Sequence, residues 1–158
     1  MSPRWAPLED RLFSRVDKSG ECWLWTGAKN NHGYGSIFAN GKQSLVHRVS
    51  YEMAKGPIPA GMVIDHTCHE PACLKPDHLR AATQKQNMEN RAGAPSQSTT
   101  GIRGVTWNKA TRTWRARVHH YGVSYHVGLF ETLAEAEAAA IAKRNELYTC
   151  NTVDRSAA

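Results

Sequence analysis

Short apolar runs broken by glycine and proline fill the first half of the chain. Apolar residues at helical spacing predict an amphipathic helix at Pro7–Val16. Asn40-Gly41 is a strong two-residue hairpin signal, because both residue types tolerate a positive φ, and it predicts paired strands at Tyr34–Ala39 and Gln43–Val46. The pattern that follows predicts a helix at His47–Lys55.

Two further strands flank an irregular loop that contains prolines and cysteines. The strands are predicted at Met62–Asp65 and Leu79–Ala82. A polar helix with Thr83 as its N-cap is predicted at Thr83–Arg91. The next residues, Ala92–Thr100, are small and polar without periodicity, which is typical of a linker.

The second half has the alternating pattern of a small sheet followed by one long helix. Three strands are predicted, at Gly101–Trp107, Thr113–His119 and Tyr125–Phe130. The helix is predicted at Leu133–Tyr148, where Thr132 and Glu135 have the spacing of a capping box. The chain is therefore expected to be α+β, with a first domain at 1–91, a linker at 92–100, a second domain at 101–149 and a tail at 150–158.

The composition indicates which classes of partner the chain could bind. Its 158 residues carry a formal net charge of +6, which favours a polyanion such as double-stranded DNA. A run of about 18 apolar residues is missing, so no membrane partner is expected. The N-terminal residues are charged where a signal peptide needs an apolar stretch, so we expect a cytoplasmic protein. There the four cysteines would be thiols or metal ligands, with Cys150 a free thiol.

Three metal-ligand side chains recur at regular spacing within the irregular loop. Four residues separate Cys68 from Cys73 and Cys73 from His78, and Cys22 lies upstream. Thiolate and imidazole are the donors of a tetrahedral structural Zn²⁺ site, which would stabilise a small core. We predict that these four residues bind zinc. His69 is a competing ligand that its position beside Cys68 disfavours, and the alternative for Cys22 is a buried apolar role.

A second set of polar residues surrounds the same loop. Asp65 and His66 end one strand, and Asn87 lies on the helix after the loop. The carboxylate of Asp65 and the amide oxygen of Asn87 suit a hard cation such as Mg²⁺, which would bind a scissile phosphate. The imidazole of His66 titrates near neutral pH and is predicted to be the general base. Taken one at a time, Asp65 and His66 could be residues of a solvated turn and Asn87 a helix cap. Together the three residues predict a metal-dependent nuclease.

In the second half, alternation separates an apolar sheet face from a basic one. Trp114, Ala116 and Val118 share one face, which the helix would cover. The other face is predicted to present Arg115, Arg117, His119 and, from the next strand, His126. A bare basic sheet face can enter a DNA major groove, although an ordinary solvated face is the alternative.

The stretch from Cys22 to Arg91 resembles the HNH endonucleases, a group of ββα-metal nucleases. The resemblance lies in GYGSIFANGK, VHRVSYE, IDHTCHEPACLKPDHL and the closing Asn87, and it is nearest to the zinc-stapled branch that includes the His-Cys box homing endonucleases. It implies DNA hydrolysis by a ββα-metal core with His66 as general base. The metal ligands it implies are Asp65 and Asn87 for the catalytic cation and Cys22, Cys68, Cys73 and His78 for zinc.

Two positions depart from the pattern of that family. His78 stands where many HNH proteins have the middle asparagine of the motif, so zinc is expected to replace the hydrogen bond of that asparagine. Arg91 stands where some members have a second histidine ligand. The family also uses a basic side chain near the scissile phosphate, for which Lys42 and Arg48 are both candidates. Arg48 is preferred, and His47 is interpreted as structural.

Residues 101–147 resemble the AP2 DNA-binding domain. The resemblance lies in GIRGV, in a tryptophan in the second strand, in GLF and in TLAEA. It implies DNA contacts from Arg103 and from the basic sheet face, while Trp107 would either stack on the sugar-phosphate backbone or pack locally.

The hypothesis from the whole sequence is a homing-type or phage HNH nuclease or nickase with an AP2-type DNA-binding module. One active site cuts one strand, so double-strand cleavage would need a homodimer or two sequential nicks. A different class stays open: a non-catalytic, zinc-stabilised protein that binds DNA sequence-specifically.

Overall fold

The computed structural model describes residues 5–156, which divide into two compact units between Asn87 and Met88. The ends of the predicted first domain and of the predicted tail, residues 1–4 and 157–158, lie outside the described residues. Within residues 5–156, no helix has the length and apolar character needed to cross a membrane.

The first unit is made of short antiparallel hairpins and short helices. Its helices are α1 (Leu8–Phe13), α2 (Val46–Lys55) and α3 (Gln84–Glu89), the last of which runs across the division between the units. Its strand pairs are β1 (Val16–Asp17) with β2 (Leu24–Trp25), β3 (Ser36–Ala39) with β4 (Lys42–Leu45), and β5 (Val63–His66) with β6 (Leu79–Ala82).

The β3–β4 hairpin follows from its turn residues. Asn40 and Gly41 have φ angles of 50° and 77°, so the turn has the left-handed backbone that the dipeptide predicts. The predicted hairpin is confirmed, with β3 beginning two residues later than expected. The predicted helix at Pro7–Val16 is too long, since α1 ends at Phe13 and Val16 instead pairs with Trp25 in the β1–β2 hairpin.

Trp25 lies at the centre of the core of the first unit, with its side chain 1% exposed. A Cβ atom at Gly35 would lie 2.5 Å from the indole ring of Trp25, so only glycine leaves room for the ring there. The residues that form this core are Leu12, Trp25, Ile37, Ala39, Val46, Val49 and Leu74. Because this core is small, its burial alone provides little stability.

The second unit is a three-stranded antiparallel sheet with a helix packed on one face, as predicted. The strands β7 (Val105–Asn108), β8 (Thr113–His120) and β9 (Val123–Phe130) are in sequence order, and α4 (Leu133–Leu147) packs against them. The first strand begins at Val105 and not at Gly101, because the hydroxyl of Thr100 donates to the carbonyl of Val105 at 2.9 Å and folds residues 100–104 into a turn.

Alanines let α4 approach the sheet closely. Ala136 and Ala140 are fully buried against Val105 and Ala116. The predicted capping box at the start of α4 is present, with the Thr132 hydroxyl accepting from the backbone N–H of Glu135 at 3.3 Å.

The residues after α4 fold back within the second unit as α5 (Thr152–Ser156). Arg144, 4% exposed, donates from Nε to Asp154 at 2.6 Å. Glu89 accepts from the N–H and the hydroxyl of Thr149, both at 3.1 Å. These bonds tie the last described residues to the start of the unit, and the division in the structure lies four residues before the predicted boundary at Arg91. Residues 92–100 contain no helix or strand.

Gly104 provides a test of the turn before β7. Its φ is +82°, and a Cβ atom there would lie 2.4 Å from the carbonyl oxygen of Arg117, which belongs to backbone and cannot easily move. Gly104→Ala should lower the free energy of unfolding by about 2–5 kcal/mol. The loss combines the cost of a left-handed backbone for alanine with the clash of its Cβ against the Arg117 carbonyl. Urea denaturation followed by circular dichroism measures the loss.

Gly122→Ala is the matched control for this substitution. Gly122 also has a positive φ, +75°, but nothing lies within 4 Å of its added Cβ. Only the left-handed penalty of about 1–2 kcal/mol is expected. Equal losses for the two variants would contradict the close approach at Gly104.

Candidate active site and metal centre

Four side chains converge beside the β5–β6 hairpin. The ligand atoms of Cys22, Cys68, Cys73 and His78 all lie within 4.8 Å of one another. His78 Nδ1 is 3.5 Å from the Sγ atom of Cys22 and 3.6 Å from that of Cys73. Tetrahedral zinc bonds of ordinary length place sulfur and nitrogen ligands about 3.6 Å apart. The cluster that the sequence predicts is thus brought together, and it could bind a metal ion such as zinc.

Backbone pairing brings the distant Cys22 to the other three ligands. Trp25 N–H donates to the carbonyl of Ala72 at 2.9 Å, and Leu74 N–H donates to that of Trp23, also at 2.9 Å. These bonds run on both sides of Cys73, which is fully buried. The ligand loop is therefore joined to β2 by hydrogen bonds of its own.

A bound cation would change the acidity of the thiols in this cluster. Burial, together with the neighbouring thiols of Cys68 and Cys73, raises the pKa of Cys22 to about 12. A bound cation would offset this effect by stabilising the thiolate. His69, the competing ligand, is not part of the cluster, and Cys150 is free of any disulfide.

His66 is buried and held by the same loop. Its Nε2 atom lies 3.0 Å from the carbonyl oxygen of Cys73. A carbonyl can only accept, so Nε2 carries the proton and Nδ1 is the basic nitrogen of the neutral ring. Burial lowers the pKa of His66, although the Cys73 carbonyl and the charge of Asp65 act in the opposite direction. A neutral imidazole is the form that can accept a proton.

Two other rings lie around His66. The ring centroid of His47 is 4.8 Å from that of His66, and the centroid of Tyr34 is 6.0 Å away. His47 is 4% exposed, and burial lowers its pKa to about 3, with smaller contributions from His66 and from the charge of Arg48. Of the two candidate basic residues, Arg48 is next to His47 on α2 and half-buried, while Lys42 is an exposed residue of β4.

Asp65 makes an ion pair with Arg80 that the sequence analysis does not anticipate. The two residues face each other in the β5–β6 register, and Arg80 Nε donates to Asp65 Oδ2 at 2.9 Å. Asp65 itself is 4% exposed. The predicted strands could have revealed this pair, since antiparallel pairing of Met62–Asp65 with Leu79–Ala82 places Arg80 near Asp65.

Asn87 lies on α3, one turn after the start of the helix. Thr83 is its N-cap as predicted, because its hydroxyl accepts from the N–H of Gln86 at 3.2 Å and its own N–H donates to the Gln86 side chain at 2.9 Å. The amide group of Asn87 is half-buried and makes no hydrogen bond among residues 5–156. It could serve as a ligand, but the structure gives no direct contact between Asn87 and Asp65.

The strand register of the second unit groups four of the predicted DNA-contacting residues. Arg117 pairs with His126, and His119 pairs with Ser124. Arg115 lies on the same side of β8, and its guanidinium reaches the Thr106 hydroxyl at 3.4 Å. This face lies opposite the one that α4 covers.

Arg103 and Trp107 differ from the other predicted DNA contacts. Arg103 donates to the carbonyls of Met88, Glu89 and Arg91 at 2.9–3.2 Å, and burial lowers its pKa. Its N–H groups therefore hold backbone within the second unit, and the predicted DNA contact of Arg103 stays a prediction. Trp107 packs edge to face on Trp114 with centroids 4.8 Å apart, and the register places it on the face that α4 covers. Trp107 thus packs locally on one side, while 42% of the residue is exposed, and stacking on the sugar-phosphate backbone stays a prediction.

Comparison with known proteins bears on the same region. Residues 44–89, which contain Asp65, His66 and Asn87, match the family model of the HNH endonucleases. Protein 7.7 of Escherichia phage T7 is 43% identical over 70 residues, which are 44% of this chain and 54% of that protein. Protein 2.8 of the same phage is 36% identical over 83 residues, 51% of this chain and 56% of that protein. The chain thus spans about half the length of these two relatives. No solved structure gives a significant match.

A third relative is covered more fully. Protein 3.8 of Escherichia phage T7 is 35% identical over 102 residues, which are 65% of this chain and 83% of that protein. A match of this extent reaches well beyond the cysteine-rich loop. The chain belongs to the phage protein family that includes protein 3.8 of phage T7, and its residues 44–89 match the HNH endonuclease model.

Proposed function

We propose that this protein is a metal-dependent DNA endonuclease, a homing-type or phage HNH nuclease or nickase that works in the host cytoplasm. The observation that supports this most strongly is the position of His66. It is a buried histidine whose pKa is lowered by burial and whose Nε2 is fixed by the Cys73 carbonyl, and it lies within the segment that matches the HNH endonucleases. Double-strand cleavage would require a homodimer or two sequential nicks.

Two kinds of metal ion belong to this proposal. Zn²⁺ would be held by Cys22, Cys68, Cys73 and His78, whose spacing suits its tetrahedral geometry. Mg²⁺ or another divalent cation would be held by Asp65 and Asn87, a carboxylate and an amide that offer the oxygen donors a hard cation prefers. When bound, the catalytic cation supplies neutralising charge at the scissile phosphate.

The protein residues supply the proton transfer and the positioning. His66 takes a proton at Nδ1 from the attacking water, since its Nε2–H is engaged with Cys73. Arg48 provides positive charge near the reacting phosphate and is preferred to Lys42, because it follows His47, whose ring packs on that of His66. The products expected from the family resemblance are a 3′-hydroxyl and a 5′-phosphate.

The second unit is proposed to hold the DNA as an AP2-type module. Its basic sheet face consists of Arg115, Arg117, His119 and His126. A face of this kind suits a major groove, where arginine can contact both base edges and phosphates.

A non-catalytic DNA-binding protein is the second candidate function. The Asp65–Arg80 pair favours it, because the carboxylate proposed to bind the cation already has a cationic partner. Only cleavage assays separate the two candidates.

Nicking of supercoiled plasmid tests the enzyme proposal. Wild-type protein with Mg²⁺ and a cognate site should nick the plasmid, and His66→Ala should slow nicking by about 10²–10⁴-fold through loss of the general base. His32→Ala, which removes an exposed histidine of the first unit, is the control and should cleave normally. Absence of nicking by the wild type with every divalent metal tried would leave the non-catalytic candidate.

Elemental analysis tests the zinc site. Freshly purified protein should contain about one equivalent of zinc, and Cys22→Ala should lose most of it together with the folded first unit, because structural zinc supplies folding energy. Cys150→Ala is the matched control, since that cysteine lies outside the cluster. Less than about half an equivalent in the wild type would count against a zinc site of four ligands.

The salt dependence of DNA binding tests the basic sheet face. Arg115→Ala and Arg117→Ala should each weaken binding and reduce the slope of log K against log salt by roughly one unit. Lys143→Ala removes the same charge from α4, on the other side of the sheet, and should leave the slope unchanged. A slope in the arginine variants equal to that of Lys143→Ala would place DNA on another surface.

A further inference from the structure

Arg80 is a basic residue at the active site for which neither the sequence nor the proposed mechanism has a role. It lies on β6 directly opposite Asp65. Its Nε donates to Asp65 Oδ2 at 2.9 Å, and its Nη2 lies 2.7 Å from the same oxygen atom. Both nitrogens thus meet one carboxylate oxygen, unlike the usual arrangement in which each nitrogen of the guanidinium meets its own oxygen.

This geometry leaves the guanidinium only partly satisfied. The Nη2 atom is buried, and its contact with Asp65 does not have the angles of a hydrogen bond. The guanidinium of Arg80 has five N–H donors. Among residues 5–156, the acceptor that it meets is the carboxylate of Asp65. Nη2 itself is closed to solvent, so an acceptor from outside the chain would meet the N–H groups on the exposed part of the side chain.

The position of Arg80 decides what kind of acceptor can reach it. Its side chain is 31% exposed, so a ligand can approach it from solvent. In the β5–β6 register Arg80 is opposite Asp65, and the next pair along the hairpin contains His66. An acceptor that meets Arg80 would therefore lie at the strand pair next to that of the proposed general base.

A phosphate oxygen is the acceptor that matches this site. Guanidinium binds phosphate with a fixed planar fork, and it carries its charge at every accessible pH. Asp65 holds the fork in place before DNA arrives, so little side-chain freedom is lost on binding. The carboxylate has two oxygens and about four acceptor positions, which allows it to orient Arg80 through Oδ2 and also serve as a cation ligand.

We propose that Arg80, oriented by Asp65, donates to a phosphate oxygen of the DNA at the cleavage site and stabilises the charge that develops there. This inference rests on the proposed nuclease function and adds a catalytic residue to it. It places positive charge on the β5–β6 hairpin itself, in addition to that of Arg48 on α2.

The test combines a charge-removing and a charge-keeping substitution. Arg80→Gln should slow single-turnover plasmid nicking at saturating protein by about 10²–10³-fold, which is the usual effect of removing one donor to a developing charge. Arg80→Lys should also slow it, by at least about tenfold, because one ammonium cannot reproduce the planar fork that meets Asp65 and phosphate together. Arg15→Gln is the control for loss of charge on the first unit and should nick at the wild-type rate.

DNA binding gives a second measurement that does not depend on cleavage. In a His66→Ala background without divalent metal, Arg80→Gln should reduce the salt slope of duplex binding by about one unit, while Arg80→Lys and Arg15→Gln keep it. Thermal melting shows whether each variant is folded. If Arg80→Gln does not fold, the lysine variant decides, since it preserves the charge beside Asp65.

The outcomes distinguish this proposal from the nuclease function. A wild-type nicking rate in Arg80→Lys, or a salt slope for Arg80→Gln equal to that for Arg15→Gln, overturns the role of Arg80. If the wild type does not nick at all, the nuclease function fails. A slope reduced by Arg80→Gln would then still show that Arg80 contacts phosphate, and an unchanged slope would remove both ideas.

Discussion

Cys73 is the residue on which the geometry of the first unit depends. Its sulfur belongs to the four-ligand cluster, and its carbonyl accepts the hydrogen bond that fixes the ring of His66. Hydrogen bonds on either side of it join the loop to the strand that carries Trp25, the centre of the core. Metal site, core and proposed general base therefore share one short segment of backbone, and a displacement of that segment would disturb all three.

The small core explains why such a segment is needed. Hairpins of two to four residues per strand bury little apolar surface, and a metal ion can supply the stability that they lack. The second unit achieves stability by other means. Its alanine-lined helix packs tightly on the sheet, and the buried pair of Arg144 and Asp154 fastens the chain after that helix. The two units thus stabilise a similar length of chain in different ways.

Local signals were sufficient to predict much of this structure. The Asn40-Gly41 turn, both helix caps and the spacing of Cys68, Cys73 and His78 depend on residues near each other in sequence, and the structure contains each of them. Cys22 was predicted from its chemistry alone, since only tertiary pairing brings it to the cluster.

Features that depend on side-chain direction or on register were missed. The strands of the β1–β2 hairpin are two residues long, too short for any periodic pattern, so the apolar spacing places Val16 in a predicted helix. A sequence also cannot show that the guanidinium of Arg103 donates to nearby carbonyls. The Asp65–Arg80 pair needs the strand register, and the partners of Asn87 need a bound ligand.

The separation of Cys22 from the other ligands also affects the order in which the first unit forms. The three ligands at positions 68–78 lie close enough in sequence to capture a metal ion while the chain is still largely unfolded, because closing so short a loop costs little entropy. The fourth bond closes a much longer loop and brings the first hairpin with it. Metal capture would then precede and guide collapse, so the concentration of free metal during synthesis would influence the folding rate as well as the final stability.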